Sequence, residues 1–288
     1  MIVVGLGKAG CNIAKAFSKF PQYETYGIDT TKDADITIKK RNSHEEYDAN
    51  FPDLRRKLKV KNEQVLVVIA GSGAISGGTL RLLEQLKNNE LTVLYIEGDL
   101  SIMSEVQKKR ERIVGNVLQE YARSGLLESV VIISNSALER SIGEMSIIGY
   151  YDTLNQAIVN TLHMINVFRN SEPIIGNFIH PSAISRIATI GIVKMEDLDG
   201  DSYVEKWFYP LTNIRDVVYY YGIGEQDLKN DGTLFRKISS FVKERVEDNL
   251  NVSYGVFKTT YEQKYCYCIR YSSMVQSYGE LLDDQDIG

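Results

Sequence analysis

The chain is poor in the residues that build covalent or metal-linked sites. Its 288 residues include three cysteines and three histidines. Cys266 and Cys268 alternate along a predicted strand, which suits neither a disulfide framework nor a zinc site. The histidines form no cluster with the spacing of metal ligands. The sequence therefore predicts a protein of the reducing cytoplasm without a bound structural metal.

Excess positive charge and long apolar runs are also missing. The formal net charge is -5 and the pI is about 5.4, so no general attraction to nucleic acid or to an anionic membrane is expected. The chain opens on a strand-like segment, residues 2–4, and no apolar run is long enough for a signal sequence or a membrane span. With 43% hydrophobic residues, we expect a cytoplasmic globular protein.

The first half of the chain alternates short apolar runs with helical patterns, as a parallel sheet with crossover helices does. The predicted strands are residues 2–4, 24–28, 65–70, 92–96 and 130–134. The predicted helices are residues 11–20, 79–87 and 104–123. In the last of these helices, the charged run 108–112 is typical of a solvated face.

The second half begins with a longer helical pattern at residues 151–168, which the pair Glu172-Pro173 ends. A strand at 216–221, a helix at 233–248 and a hairpin of strands at 251–259 and 264–271 then predict a small α+β domain. We expect a first domain over residues 1–195, which includes the central helix. A second domain would cover 196–278, with a linker at 196–201, and an acidic tail would cover 279–288.

A first glycine loop follows the first strand and opens a helix, in the hexapeptide Gly5-Leu6-Gly7-Lys8-Ala9-Gly10. Glycines let the backbone approach a phosphate, and a helix N-terminus supplies free N–H groups and positive potential. The same peptide satisfies the dinucleotide-binding pattern, and Asp29 falls where a ribose-binding acid belongs. By itself this segment favours NAD.

A second glycine loop, Gly71-Ser72-Gly73-Ala74-Ile75-Ser76-Gly77-Gly78-Thr79, also lies between a buried strand and a helix. Dinucleotide folds need one such loop. Two loops at adjacent strand ends can hold a triphosphate from both sides, with Ser76 and Thr79 adding hydroxyl groups. The alternative is that these glycines only make a tight turn.

With these two loops the chain resembles FtsZ and tubulin in segment order over nearly its whole length. The family's first glycine loop resembles residues 5–12, including the Asn12 that ends it, and its Asn-Thr-Asp looks like Asp29-Thr30-Thr31. The signature Gly-Gly-Gly-Thr-Gly-Thr-Gly is represented by residues 73–79. Gly73 and Gly77 match, and Ser76 replaces the first threonine. The positions that depart are Ala74, Ile75 and Gly78.

The resemblance implies a Rossmann-like parallel-sheet GTPase domain, a central connecting helix and a smaller α+β domain, with GTP or GDP bound and Mg²⁺ possible as its companion. It also implies roles for single residues. Glu105 would accept from ribose hydroxyls and Lys109 would face phosphate, or the two form a surface ion pair. Asn135 matches an asparagine that follows a strand, or is a turn residue. Asp152 beside Tyr150 or Tyr151 would read guanine, or is an acid favoured by the helix dipole.

In this family, a loop after the central helix delivers an acid to the nucleotide of the neighbouring subunit. The corresponding residues 172–185 contain no Asp or Glu after Glu172, and His180 is the remaining candidate base. The expected protein assembles with itself head to tail into filaments and hydrolyses GTP slowly or not at all. The alternatives are an NAD(P)-dependent oxidoreductase and a non-hydrolysing adaptor.

Overall fold

A computed structural model describes residues 1–179, 181–195, 204–261 and 264–277 of the chain. The predicted linker and the predicted acidic tail lie outside these residues. By its contacts the chain forms two compact units. The first unit is Met1–Val130 with the segment that starts at Val275, and the second unit is Val131–Met274. The predicted central helix lies in the second unit by these contacts, whereas its sequence position predicts it in a first domain over residues 1–195.

The first unit is built on a parallel sheet with the strand order β3-β2-β1-β4-β5. Its elements in chain order are β1 (Ile2–Leu6), α1 (Gly7–Phe17), β2 (Glu24–Asp29), β3 (Ile36–Thr37), α2 (His44–Ala49), α3 (Arg55–Leu58), β4 (Gln64–Ala70), α4 (Thr79–Leu86), β5 (Glu90–Glu97) and α5 (Glu105–Arg123). The strand β6 (Ser129–Ser134) begins in this unit. The predicted α/β class is confirmed. The predicted strands β1, β4, β5 and β6 are mostly buried, whereas β2 is buried only at Gly27 and Ile28.

Helix α5 shows how the local sequence sets an element. Ser104 and Gln107 form a capping box. The backbone N–H of Gln107 donates to Ser104 Oγ (3.4 Å), and the backbone N–H of Ser104 donates to Gln107 Oε1 (3.0 Å). Val114, Leu118 and Ala122 recur at helical spacing and are buried. The helix therefore starts at its predicted position, and its apolar face is buried in the core.

The second unit contains a sheet in which the strands follow the order β8-β12-β10-β11-β7, with β9 paired to β8. Its elements in chain order are α6 (Asn135–Ile142), α7 (Tyr150–Arg169), β7 (Ile175–Asn177), β8 (Ile187–Val193), β9 (Glu205–Trp207), β10 (Ile214–Gly224), α8 (Glu225–Asn230), α9 (Leu234–Glu244), β11 (Asn251–Thr259) and β12 (Tyr265–Ser272). The predicted central helix corresponds to α7.

The predicted hairpin of the last two strands is wrong. β11 and β12 do not pair with each other, because β10 lies between them, parallel to β11 and antiparallel to β12. β10 is buried along nearly its whole length, so the backbone groups on both of its edges need partners. Helix α9 supplies the crossover that a parallel pair requires.

The core of the second unit is organised around Phe241 of α9. Its ring meets Tyr219 and Tyr221 of β10 edge to face, with centroids 5.2 and 6.5 Å apart. The Arg245 guanidinium lies 3.5 Å from the centre of the same ring and pairs with Glu205, which also accepts from the Tyr219 hydroxyl at 2.6 Å. Tyr219 and Tyr221 therefore pack against α9.

Removal of the Phe241 ring tests this core. Phe241→Ala leaves a cavity against two tyrosines, and we expect it to lower the free energy of unfolding by about 3–5 kcal/mol, measured by chemical denaturation. Phe235 of the same helix is 51% exposed, so Phe235→Ala is the matched control and should change stability by less than about 1 kcal/mol. Equal losses in the two variants would contradict the packing.

Candidate functional site

The first glycine loop (residues 5–12) turns directly from β1 into α1. Gly7 has a φ of +74°, which favours glycine. A Cβ atom on Gly5 would lie 2.1 Å from the Gly10 carbonyl oxygen, and one on Gly10 would lie 2.6 Å from that of Val68. Only hydrogen fits at these positions, so the glycines allow the helix to pack closely on the sheet.

The N-terminus of α1 is suited to an anion. Leu6 precedes the helix and gives it no side-chain cap, and the first turn contains no acidic residue. The first amides of an 11-residue helix therefore point outward with the positive end of the dipole. Lys8 and Asn12 are exposed beside them, and Ala9 is half-buried.

The second glycine loop (residues 71–79) is packed on its inner side and open at its tip. Residues Ala74–Gly78 form a 3₁₀ turn that leads into α4. The Ser76 hydroxyl is buried and lies 2.7 Å from the carbonyl oxygens of Gly71 and Gly73, so it fixes the loop from within. Gly73 is exposed, and a Cβ atom there would meet nothing closer than 3.8 Å.

Two further glycines anchor this loop to the segment that contains α2. A Cβ on Gly77 would lie 2.0 Å from the His44 carbonyl oxygen, and one on Gly78 would lie 2.3 Å from the Phe51 ring. Thr79 is buried, and its hydroxyl has no hydrogen-bond partner within the described residues. The inner side of the loop is therefore fixed, whereas residues 73–75 face outward.

The two glycine loops touch each other. β1 and β4 are paired neighbours, with Leu6 opposite Ile69. A Cβ on Gly7 would lie 2.8 Å from Cγ2 of Ile75. The predicted adjacency of the two loops at the carboxyl ends of parallel strands is thus what the structure shows.

Asp29 ends β2, the strand on the other side of β1. Its carboxylate accepts from the Thr30 amide at 2.6 Å and is half-exposed. Burial, together with the nearby negative charges of Asp29 and Asp35, raises the pKa of the Cys11 thiol in α1 to about 12. Asp29 therefore lies close to the first glycine loop, and the thiol beside it stays protonated at neutral pH.

Glu105 and Lys109 both lie exposed in the first turns of α5. Glu105 pairs with Lys108 at 2.9 Å, and this hydrogen bond lowers the pKa of Glu105. Both side chains are accessible to a ligand, and their roles toward a nucleotide stay predictions.

The interpretation of residues 108–112 as a solvated face is wrong at one position. Glu111 is completely buried. The Tyr95 hydroxyl lies 2.7 Å from Glu111 Oε1 and 2.8 Å from the Glu111 carbonyl oxygen. Burial raises the pKa of Glu111 to about 7, against the lowering effect of Tyr95 and of the Gly98, Gly71 and Ser72 amides. A buried acid therefore lies under the start of the second glycine loop.

The remaining candidates belong to the second unit. Asn135 is the first residue of α6, and Tyr151 and Asp152 are exposed in the first turn of α7. A hollow of about 400 Å³ is lined by Ile147, Gly149, Tyr150, Tyr151 and Asp152. The Tyr150 and Tyr151 rings meet edge to face at 5.2 Å. An aromatic face and a carboxylate thus border one open hollow.

Residues 172–185 correspond to the loop that carries the catalytic acid in FtsZ and tubulin. They include the short strand β7, which pairs with β11. His180 lies outside the described residues. Within the described part of the chain, no group of three or more His, Cys, Asp or Glu side chains is placed to hold a metal ion. None of the described helices has the length and apolar character needed to span a membrane.

Comparison with known proteins places the fold. A TubZ protofilament in the GTPγS form, from Bacillus thuringiensis serovar israelensis, is similar over 95% of this chain and 86% of its own, with a TM-score of 0.73 and 16% identity. The chain has the tubulin/FtsZ fold. GTPγS-bound CetZ2 from Haloferax volcanii gives a TM-score of 0.66 at 16% identity, over 94% of this chain and 92% of its own.

An empty FtsZ dimer of M. jannaschii shares this fold at 14% identity, with a TM-score of 0.68 over 94% of this chain and 87% of its own. No protein-family model and no curated protein sequence matches the chain. The likeness to these structures is therefore one of fold, at 14–16% sequence identity.

The buried acid makes stability depend on pH. Glu111 ionises near pH 7 in the folded chain and near pH 4.5 when exposed, so the folded state holds its proton longer. This difference adds about 3 kcal/mol to the free energy of unfolding below pH 4.5, and that stabilisation is lost as the pH rises from 4.5 to 7. Denaturant titrations from pH 4.5 to 7.5 should show this loss in the wild type and not in Glu111→Gln.

Glu120 lies on the exposed face of the same helix, paired with Arg123, so Glu120→Gln is the control and should keep the wild-type slope. If Glu111→Gln also kept that slope, the carboxyl group would not be the source of the pH dependence.

Proposed function

We propose that the chain binds a guanine nucleotide through its two glycine loops. The observation that carries this proposal is the contact between them, where Gly7 packs on Ile75 at the ends of paired strands. One anion near this contact would meet the uncapped N-terminus of α1 and the outward-facing residues 73–75 together. The alternative, an NAD(P)-dependent oxidoreductase, uses one glycine loop and leaves the second without a role.

The residues present fit a nucleoside triphosphate. Lys8 and Lys109 are exposed cations of the first unit, and Asp29 provides an acceptor for a ribose hydroxyl. Ser76 serves by shaping the second loop from within. A base-reading role for Tyr151 and Asp152, which border a hollow of the second unit, stays a prediction from the resemblance. A bound Mg²⁺ would help to neutralise the phosphate charge.

We further propose that the protein assembles with itself head to tail into cytoplasmic filaments. The similar TubZ and CetZ2 structures are protofilaments, and a heterologous interface that does not close generates an open polymer. Turnover should be slow, because residues 173–185 contain no carboxylate to orient an attacking water.

Nucleotide binding is tested at the exposed tip of the second glycine loop. Gly73 has an extended backbone and an open Cβ direction, so Gly73→Asp should fold normally. Its carboxylate would repel phosphate, and we expect GTP affinity to fall at least about tenfold, measured by calorimetry and by the nucleotide that copurifies with the protein.

The matched control is Gly232→Asp, at an exposed glycine with nothing within 4 Å of its Cβ direction. It should bind like the wild type. If the wild type preferred NADH, or if both variants bound GTP equally well, the proposed site would be wrong.

Assembly is tested by light scattering and sedimentation with GTP, GTPγS or GDP and Mg²⁺. We expect polymer above a critical concentration with the triphosphates, with phosphate release much slower than assembly. A wild-type chain that binds GTP and yet stays monomeric at high concentration would favour the nucleotide-binding adaptor instead.

A further inference from the structure

Glu111 is a buried acid that the proposed binding site does not yet use. It lies within α5 and is fully buried, although its sequence neighbours are exposed or half-buried charged residues. Tyr95 donates to Oε1, whereas Oε2 has no hydrogen-bond partner within the described residues. An ionised carboxyl group is costly in such a place, because Oε2 accepts no hydrogen bond and the nearby amides of Gly71, Ser72 and Gly98 offset its burial only in part.

The start of the second glycine loop lies directly on this pair. A Cβ on Gly71 would lie 2.2 Å from the Tyr95 hydroxyl oxygen and 3.1 Å from Cα and Cδ of Glu111. The amides of Gly71 and Ser72 act on the carboxyl group. The loop therefore has Glu111 on its inner side and its open tip, residues 73–75, on its outer side.

We propose that Glu111 is a positioning residue for the second glycine loop, and that the loop binds phosphate tightly only while this side chain keeps its proton. The inference rests on the proposed nucleotide binding. When protonated, Glu111 supports the loop as a neutral group through Tyr95 and the close contact with Gly71. When ionised, it draws the loop amides inward and adds a negative charge behind the phosphate site.

In the part of the chain that the structure describes, no cation pairs with Glu111. The titratable side chains on the elements around Glu111 include Tyr95 and Glu97 on β5, Lys108, Lys109, Arg110 and Arg112 on α5, and His44, Glu45 and Asp48 on α2. Glu97 is buried on the same face of β5 as Tyr95, Lys108 pairs with Glu105, and Arg112 is exposed. Arg110 acts on His44 and Glu45. In a medium of low dielectric constant, a phosphate would meet the ionised acid as a like charge.

Calorimetric titration with GTP between pH 6 and 8, in two buffers with different ionisation enthalpies, tests the proposal on the intact chain. Wild-type affinity should fall about tenfold across this range, and binding near pH 7.5 should take up a fraction of a proton. Glu111→Gln keeps the neutral shape, so it should bind at pH 8 as tightly as the wild type does at pH 6. The terminal phosphate itself titrates near pH 6 or somewhat above. Glu111→Gln keeps only that effect and provides its baseline, whereas Glu120→Gln should keep the full wild-type slope.

Tyr95→Phe is a second variant that tests the proposal if Glu111→Gln folds poorly. It removes a hydroxyl that favours the ionised carboxyl group, so the pH at which affinity is lost should move upward. A Glu111→Gln chain with the wild-type pH slope, or a wild type that binds GTP without proton uptake, would overturn the role of Glu111 alone. Absence of GTP binding at every pH in all variants would overturn the nucleotide site itself.

Discussion

The parallel pairing of β1 with β4 is the constraint on which the candidate site depends. Both strands are buried, so their register is fixed by apolar packing rather than by the loops that follow them. The pairing brings Gly7 onto Ile75 and places the α1 N-terminus beside residues 73–75. Because Gly5 and Gly10 allow the helix to lie against the sheet without Cβ atoms, the positive end of its dipole is held close to this contact.

The second glycine loop is held in place by contacts on its inner side. Its backbone is held from beneath by Tyr95 and Glu111 and from the side by the backbone of His44 and the ring of Phe51, and Ser76 bonds within the loop. A loop fixed on its inner side loses little conformational entropy when an anion binds outside. Of the three positions that depart from the FtsZ and tubulin signature, Ala74 and Ile75 lie on the open side and Gly78 packs on Phe51. Ile75 makes the contact with the first loop.

The two glycine loops at the ends of buried strands could be predicted from the sequence, because an apolar run followed by glycines indicates a buried strand and a tight strand-to-helix turn. The rest depends on contacts between distant residues. The charged run 108–112 gives no sign that Glu111 turns inward, since its partners Tyr95 and Gly71 are 16 and 40 positions away.

The hairpin prediction failed because it paired strands that are neighbours in sequence, whereas the burial of β10 demands a partner on each edge. The short helix α2 was missed because packing on the second glycine loop, rather than periodicity, stabilises it.

The proposed separation of nucleotide binding from hydrolysis follows from the kind of residue that each function needs. The elements that would hold phosphate are glycines and a helix terminus, which act through the backbone and tolerate divergence of the side chains around them. Water activation needs a particular carboxylate at a particular place, and residues 173–185 do not offer one. If hydrolysis is slow, release of the nucleotide must be controlled at the binding step. A buried acid whose pKa burial raises to about 7, directly behind the phosphate loop, can provide such control, because its charge opposes the ligand without contacting it.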